Sequence, residues 1–100
     1  MMITEYIDFC LICGKPRECE HHLLRGSRRQ LAEDDDLTMP MCDDCHNMGE
    51  KDRVLHGNFM AEALSKIVGQ LAYEKKKCAE GFTEDDAREE FRRIYGKSWL

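Results

Sequence analysis

A chain of 100 residues holds one domain and leaves no room for a second core. A hydrophobic content of 42% and a mean hydropathy of −0.62 point away from a membrane protein, and no apolar run approaches the roughly 20 residues that a span requires. The net charge of −5 argues against a broad nucleic-acid-binding face. Residues 1–60 carry seven basic and twelve acidic side chains and residues 61–100 eight of each, so any contact with an anion has to be local.

Tyr6-Ile7-Asp8-Phe9 reads as a short strand-like run. It leads into Cys10-Leu11-Ile12-Cys13-Gly14-Lys15, a knuckle whose glycine lets the chain turn back and aim N–H groups at sulfur. Cys19 to Leu24 reads as a strand, Gly26 to Asp36 as a polar loop. Leu37 to Met41 alternates like a half-buried strand, with Pro40 suited to an edge or an end. Cys42-Asp43-Asp44-Cys45 forms a second knuckle, followed at once by His46. From Asn58, the residues Phe59, Met60, Ala63, Leu64, Ile67, Val68, Leu71 and Ala72 recur at helical steps, which predicts an amphipathic helix to about Lys77 with that stripe in the core. Lysines 75–77 suit its C-terminal end. Thr83 before three acids predicts an N-cap, and the helix it opens runs to about Ile94 with Ala87, Phe91 and Ile94 inward. Gly96 ends that helix, and Trp99 and Leu100 are expected to fold back onto the helices. Residues 59–100 read as scaffold, to which no chemistry is assigned.

Six cysteines are many for this length. Two C-x-x-C pairs about thirty residues apart read as a closed four-thiolate zinc site of Cys10, Cys13, Cys42 and Cys45, rather than as a disulfide framework. The acidic N-terminus does not resemble a signal peptide, so a reducing, cytoplasmic compartment is expected. Structural zinc contributes roughly 10 kcal/mol or more of folding free energy, which offsets a lean core. Cys19 lies close enough to compete as a ligand, and Cys78 reads as a small buried apolar residue.

All four histidines fall between residues 21 and 56, each near a knuckle or a strand end. Neighbours on a strand face opposite sides, so one of His21 and His22 can meet a metal while the other points elsewhere. The zinc clamp draws the region after Cys19 towards His46. Three of the four histidines are then able to share a second metal, leaving one as a base.

The order C-x-x-C, His-His, L-x-x-P-x-C-x-x-C-H and a later histidine resembles HNH endonucleases that carry a cysteine zinc site. More narrowly, Glu20 to Gly26, Arg28-Arg29, Leu37 to Met48, Leu55 to Asn58 and the closing Phe91 to Leu100 are similar to a group of small phage and prophage HNH-like proteins. The resemblance implies an α+β fold: a zinc-bound β-hairpin with a ββα-metal, treble-clef-like core over residues 1–58. A helical extension over 59–100 packs on that core. It also implies a metal-dependent endonuclease that hydrolyses phosphodiester bonds of nucleic acid, DNA foremost, in a bacterial host's cytoplasm.

By the same resemblance His21 and His46 ligate a catalytic divalent ion, His22 is the general base, and His56 is the third ligand. The ion is Zn²⁺, Mn²⁺, Ni²⁺, Co²⁺ or Mg²⁺, imidazole suiting the transition metals best. His56 lies ten residues beyond His46, so the stretch from Asn47 to Leu55 has to loop out. Arg25, Arg28 and Arg29 are the expected phosphate contacts. One position departs from the pattern. Leu37 stands where the family places an asparagine that braces the base, leaving that task to Asp36, Asn47 or a backbone carbonyl. That departure, with the acidic charge, supports an alternative: a non-catalytic zinc module that binds nucleic acid or a phage recombination or packaging protein. A further alternative is an interaction domain whose helices carry the partner surface.

Overall fold

The computed structural model of the protein describes residues 2–24, 37–49 and 54–100. Cys19–His22 (β1) and Thr38–Met41 (β2) form an antiparallel pair in the register Cys19↔Met41, Glu20↔Pro40, His21↔Met39, His22↔Thr38. The outer edge of β2 is occupied by the segment that precedes the first knuckle and by the knuckle itself. Ile3 N–H donates to the Thr38 carbonyl at 2.8 Å and Leu11 N–H to the Pro40 carbonyl at 3.0 Å. The nitrogen of Pro40 therefore lies on the side away from β1, where its missing hydrogen removes no bond of the pair.

The strand expected over Tyr6 to Phe9 does not form. Phe9 makes a single bridge to Pro16, and the knuckle turns directly beneath it: Cys10 N–H donates to the Lys15 carbonyl and Gly14 N–H to the Cys10 carbonyl. Gly14, at φ 80°, supplies the left-handed turn. With no neighbouring strand to complete a ladder, Tyr6, Ile7 and Phe9 stay exposed.

After β2 the chain makes one wide turn of π-type helix, Asp44–Met48, and then two α-helices follow, Phe59–Ala79 (α1) and Glu84–Tyr95 (α2). Both α-helices are capped as their sequences dictate. Asn58 accepts from Ala61 N–H at 3.2 Å and Thr83 from Asp86 N–H at 3.1 Å. Gly96 closes α2 in the left-handed region at φ 85°.

The apolar stripe of α1 does not face the core, contrary to the sequence reading. Phe59 is 88% exposed and Met60 74%, and Leu64, Val68 and Leu71 are exposed too. The buried line is instead Ser65, Gly69, Gln70 and Tyr73. The reason is close approach. A Cβ on Gly69 would lie 2.7 Å from Leu24 Cδ2, 2.8 Å from Leu24 Cγ and 3.0 Å from Leu23 Cβ. Only small residues let the helix axis come this near to the turn that ends β1, and the small and polar face of α1 is the one that fits.

Phe91 and Ala87 of α2 are fully buried, as the periodicity predicts. Phe91 meets Tyr73 edge-on at 5.4 Å between centroids and stacks on Tyr95 at 4.5 Å. Gln70 is fully buried yet well bonded: its amide nitrogen donates to Glu74 and Ser98, and its oxygen accepts from Trp99 N–H at 2.7 Å. This ties the segment after α2 to α1. Trp99 folds back against Phe91, whereas Leu100 remains 41% exposed. Among the described residues no helix is long and apolar enough to cross a membrane.

Gly69→Ala tests the close approach. In an ordinary helix interior the change gains up to about 1 kcal/mol. Here overpacking against Leu23 and Leu24 should outweigh that gain by about 1–2 kcal/mol. A thermal melt should show a midpoint lower by roughly 4–8 °C per kcal/mol lost. A raised midpoint would mean that α1 does not sit on the β1 turn this closely.

Candidate metal centres

The two knuckles meet. The sulfurs of Cys10, Cys13, Cys42 and Cys45 all lie within 4.8 Å of one another, with Cys13 and Cys42 at 3.5 Å. A tetrahedron with Zn–S bonds near 2.3 Å has sulfur–sulfur edges of about 3.8 Å, so four thiolates in this arrangement fit one zinc ion. Cys10, Cys42 and Cys45 are buried and Cys13 is exposed at the rim. Backbone geometry places them: His46 N–H donates to the Cys42 carbonyl and Leu11 N–H to the Pro40 carbonyl, so each knuckle is anchored at the same end of β2.

The thiols differ in acidity. Burial opposes charge on Cys10, but hydrogen bonds from the backbone of Cys13, Cys42 and Ile12 outweigh it and bring this thiol down to about 6. Burial comes first among the causes that push Cys45 far up, followed by the neighbouring sulfurs of Cys42, Cys13 and Cys10. At Cys42 a backbone hydrogen bond from Cys45 favours the thiolate, but burial and the adjacent sulfurs raise it on balance. Backbone hydrogen bonds thus favour the thiolate at Cys10, whereas Cys42 and Cys45 favour the thiol until a cation is present.

A second group lies beside the first. Strand alternation turns His21 inward, 3% exposed, and leaves His22 outward. His46 stands on the π-type turn, a local widening often associated with functional sites. His56 returns to it because Leu55 N–H donates to the Cys45 carbonyl at 2.8 Å and His56 N–H to the His46 carbonyl at 3.0 Å. These two bonds close the excursion between the histidines. Ligand atoms of His21, His46 and His56 all lie within 4.8 Å of one another.

The tautomers follow from the groups behind each ring. Ser65 Oγ lies 2.7 Å from His21 Nε2 and donates its own proton to the Leu23 carbonyl at 3.4 Å. The serine therefore accepts from Nε2–H, which leaves the lone pair of His21 on Nδ1. His56 Nδ1 faces Glu62 Oε1 at 3.3 Å, and the carboxylate can only accept. His56 Nε2, on the other side of the ring, is buried with no hydrogen-bond partner among the described residues. Cys19 keeps its proton, pushed up to about 11 by burial and by Asp43, and gives it to the Met41 carbonyl. Its sulfur sits 3.5 Å from His46 Nδ1, and a proton on that nitrogen would leave the lone pair of His46 on Nε2.

His21 Nδ1 and His46 Nε2 lie 3.3 Å apart, and in those tautomers both would present lone pairs. Two lone pairs at that distance repel unless a cation lies between them. Metal–nitrogen bonds near 2.0–2.1 Å in a tetrahedron give a nitrogen–nitrogen edge of about 3.3–3.4 Å. Three imidazoles, each with a polar group behind it, could hold a transition-metal ion.

His21, His22, His56, Glu62, Ser65 and Lys66 line a cavity of about 250 Å³ over this group. Arg25, Arg28, Arg29 and Asp36 lie outside the described residues. Leu37 is a wholly buried core residue whose carbonyl accepts from Leu23 N–H, and Asn47 is exposed on the π-type turn. Cys19 stands behind His46 rather than within the four-sulfur group, and Cys78 is half-buried near the end of α1. The sequence reading misses Glu62, Ser65 and Lys66, because polar residues on a helix ordinarily mark its solvated face. The available signal is that Ser65 and Gly69 are four residues apart, a small-residue line along which another element can approach. Comparison with known protein families, with characterised proteins and with solved structures finds no match to this chain.

Two predictions arise from these sites. Protons on Cys42 and Cys45 must leave when zinc enters, so affinity rises with pH; Cys10, already ionised at neutrality, adds to the slope only below about pH 6. Competition with a chelator should show zinc affinity falling at least about 100-fold from pH 8 to pH 7, two protons' worth. A pH-independent affinity would refute the protonated state of these thiols. Replacing Glu62 with alanine should weaken Co²⁺ binding at the histidines about 10–100-fold and leave zinc at the cysteines untouched. A change below twofold would remove Glu62 from the support of His56.

Proposed function

We propose that this chain is a metal-dependent nuclease of the HNH kind, encoded by a phage or prophage, that hydrolyses phosphodiester bonds of nucleic acid, DNA foremost. The observation that carries the reading is the convergence of His21, His46 and His56 on one point, with His22 beside them on the wall of an open cavity. The four-cysteine group beside them supports it, since it gives a small domain the rigidity that such a site needs.

A divalent ion held by the three imidazoles would supply Lewis-acid stabilisation of charge on the phosphate and leaving oxygens. The remaining steps belong to the protein. Ser65, Glu62 and Cys19 hold the three rings with their lone pairs inward. His22, at the last position of β1, reaches the same cavity although its neighbour His21 is turned inward. An imidazole nitrogen of His22 accepts a proton from water as the water oxygen bonds to phosphorus. The opposite P–O bond breaks, and the leaving oxygen takes a proton from solvent.

A second reading is favoured by the exposed stripe Phe59, Met60, Leu64 and Leu71 on α1. Apolar surface of this kind marks a protein-docking face. It suits an interaction domain whose helices carry the partner surface.

His22→Ala should lower cleavage of a plasmid or single strand by about 10²–10⁴-fold, with fold and metal content intact. His21→Ala should instead lose the metal at the histidine group, with excess Mn²⁺ or Ni²⁺ restoring part of the rate. Cleavage by His22→Ala at the parent rate would reassign the base. A parent protein inert with every divalent ion tried would give way to the docking-module reading.

A further inference from the structure

A cation that the sequence reading does not single out lines the cavity over the histidine group. Lys66 follows Ser65 on α1 and lines the same cavity as His21, His22 and His56. The bond from His21 to Ser65 fixes where the lysine stem begins. Its ammonium lies 5.8 Å from the centroid of the Trp99 ring, and the ammonium of Lys97 lies 5.0 Å from the same ring. Trp99 is itself held in place, by Gln70 through its backbone and by Phe91 through its ring at 5.9 Å.

The arginines of α2, and Lys77 of α1, are instead held by carboxylates. Arg88 is paired with Glu74, Arg92 with Glu89, Arg93 with Glu90 and Lys77 with Glu80. Among the described residues, neither Lys66 nor Lys97 has a carboxylate partner. In a chain with five more acidic than basic side chains, two ammonium groups sharing one aromatic ring without an acid mark a local site for an anion. Lys66 lines the cavity and Lys97 approaches the same ring without lining it, so an anion that meets both carries more than one charge.

We propose that Lys66 and Lys97, which share the Trp99 ring, form a phosphate track that starts at the histidine cavity, along which a nucleic-acid strand lies with its phosphates against the two ammonium groups. The track rests on the nuclease reading for the identity of its polyanion. It supplies phosphate contacts on described residues, independently of Arg25, Arg28 and Arg29. Contacts of this kind position the strand and carry no sequence preference.

The test is binding of a short fluorescein-labelled single-stranded DNA to the zinc-loaded protein, followed by anisotropy across a series of salt concentrations. Each phosphate neutralised contributes about 0.7 to the slope of log affinity against log salt for a single strand. Lys66→Gln with Lys97→Gln should lower that slope by about 1.4, and arginine at both positions should restore it. Lys97→Gln alone, on an exposed residue, should lower it by about 0.7 and guards against a misfolded double variant. Cleavage by the same parent protein is measured in parallel. A lowered slope with an inert parent would support the track and remove the nuclease reading. A cutting parent with an unchanged slope in the glutamine variants would overturn the track and keep that reading. A parent that fails to bind the strand would also overturn the track.

Discussion

Everything else in this molecule depends on the closure of two knuckles upon each other. Cys10 and Cys13 precede β1, while Cys42 and Cys45 follow β2, and their four sulfurs lie within 4.8 Å. That closure brings the start of one strand to the end of its partner and fixes the register that puts His21 opposite Met39. It also sets the π-type turn that presents His46. Four sulfurs so close, most of them buried, repel as thiolates and are poorly hydrated as thiols. A single zinc ion resolves both costs, at roughly 10 kcal/mol or more of folding free energy. The rest of the core is modest: Leu23, Leu37, Met41, Tyr73 and Phe91 are its largest buried apolar side chains. A domain of this size with so few of them benefits from an internal staple.

The histidine group depends on that closure and on α1 in equal measure. The clamp and the backbone bonds from residues 55 and 56 to residues 45 and 46 gather the three rings. The helix then orients two of them through Ser65 and Glu62, and Cys19 on β1 orients the third. The small face of α1 makes this possible. Had the helix packed through Leu64 and Leu71, larger side chains would have held its axis farther from the β1 turn, and Ser65 would not reach His21. The exposed apolar stripe is the consequence of that choice of face.

Much of this is legible in the sequence, and the failures have physical causes. The C-x-x-C spacing announces the sulfur group because few other arrangements use two such pairs. Alternation along β1 separates inward His21 from outward His22. Thr83 and Gly96 announce the ends of α2 through hydrogen bonding and left-handed backbone. The inward face of α1 is not legible from hydrophobic periodicity, because close approach at Gly69 outweighs the apolar gain from the opposite face. Nor do Glu62 and Ser65 declare themselves, since their role depends on imidazoles 6 and 44 residues away in sequence. The apolar run Tyr6 to Phe9 has the composition of a strand but, among the described residues, no partner strand to pair with.

The cysteine and histidine groups together would hold two metal ions of different chemistry, one among thiolates and one among imidazoles. Metal content by mass spectrometry on protein purified without chelator and then reconstituted with Co²⁺ or Zn²⁺ tests it most directly. The account predicts two ions per chain, and one per chain after His46→Ala, with the remaining Co²⁺ keeping its thiolate charge-transfer absorption. A parent protein that takes up a single ion at saturation, with His46→Ala no different, would contradict it.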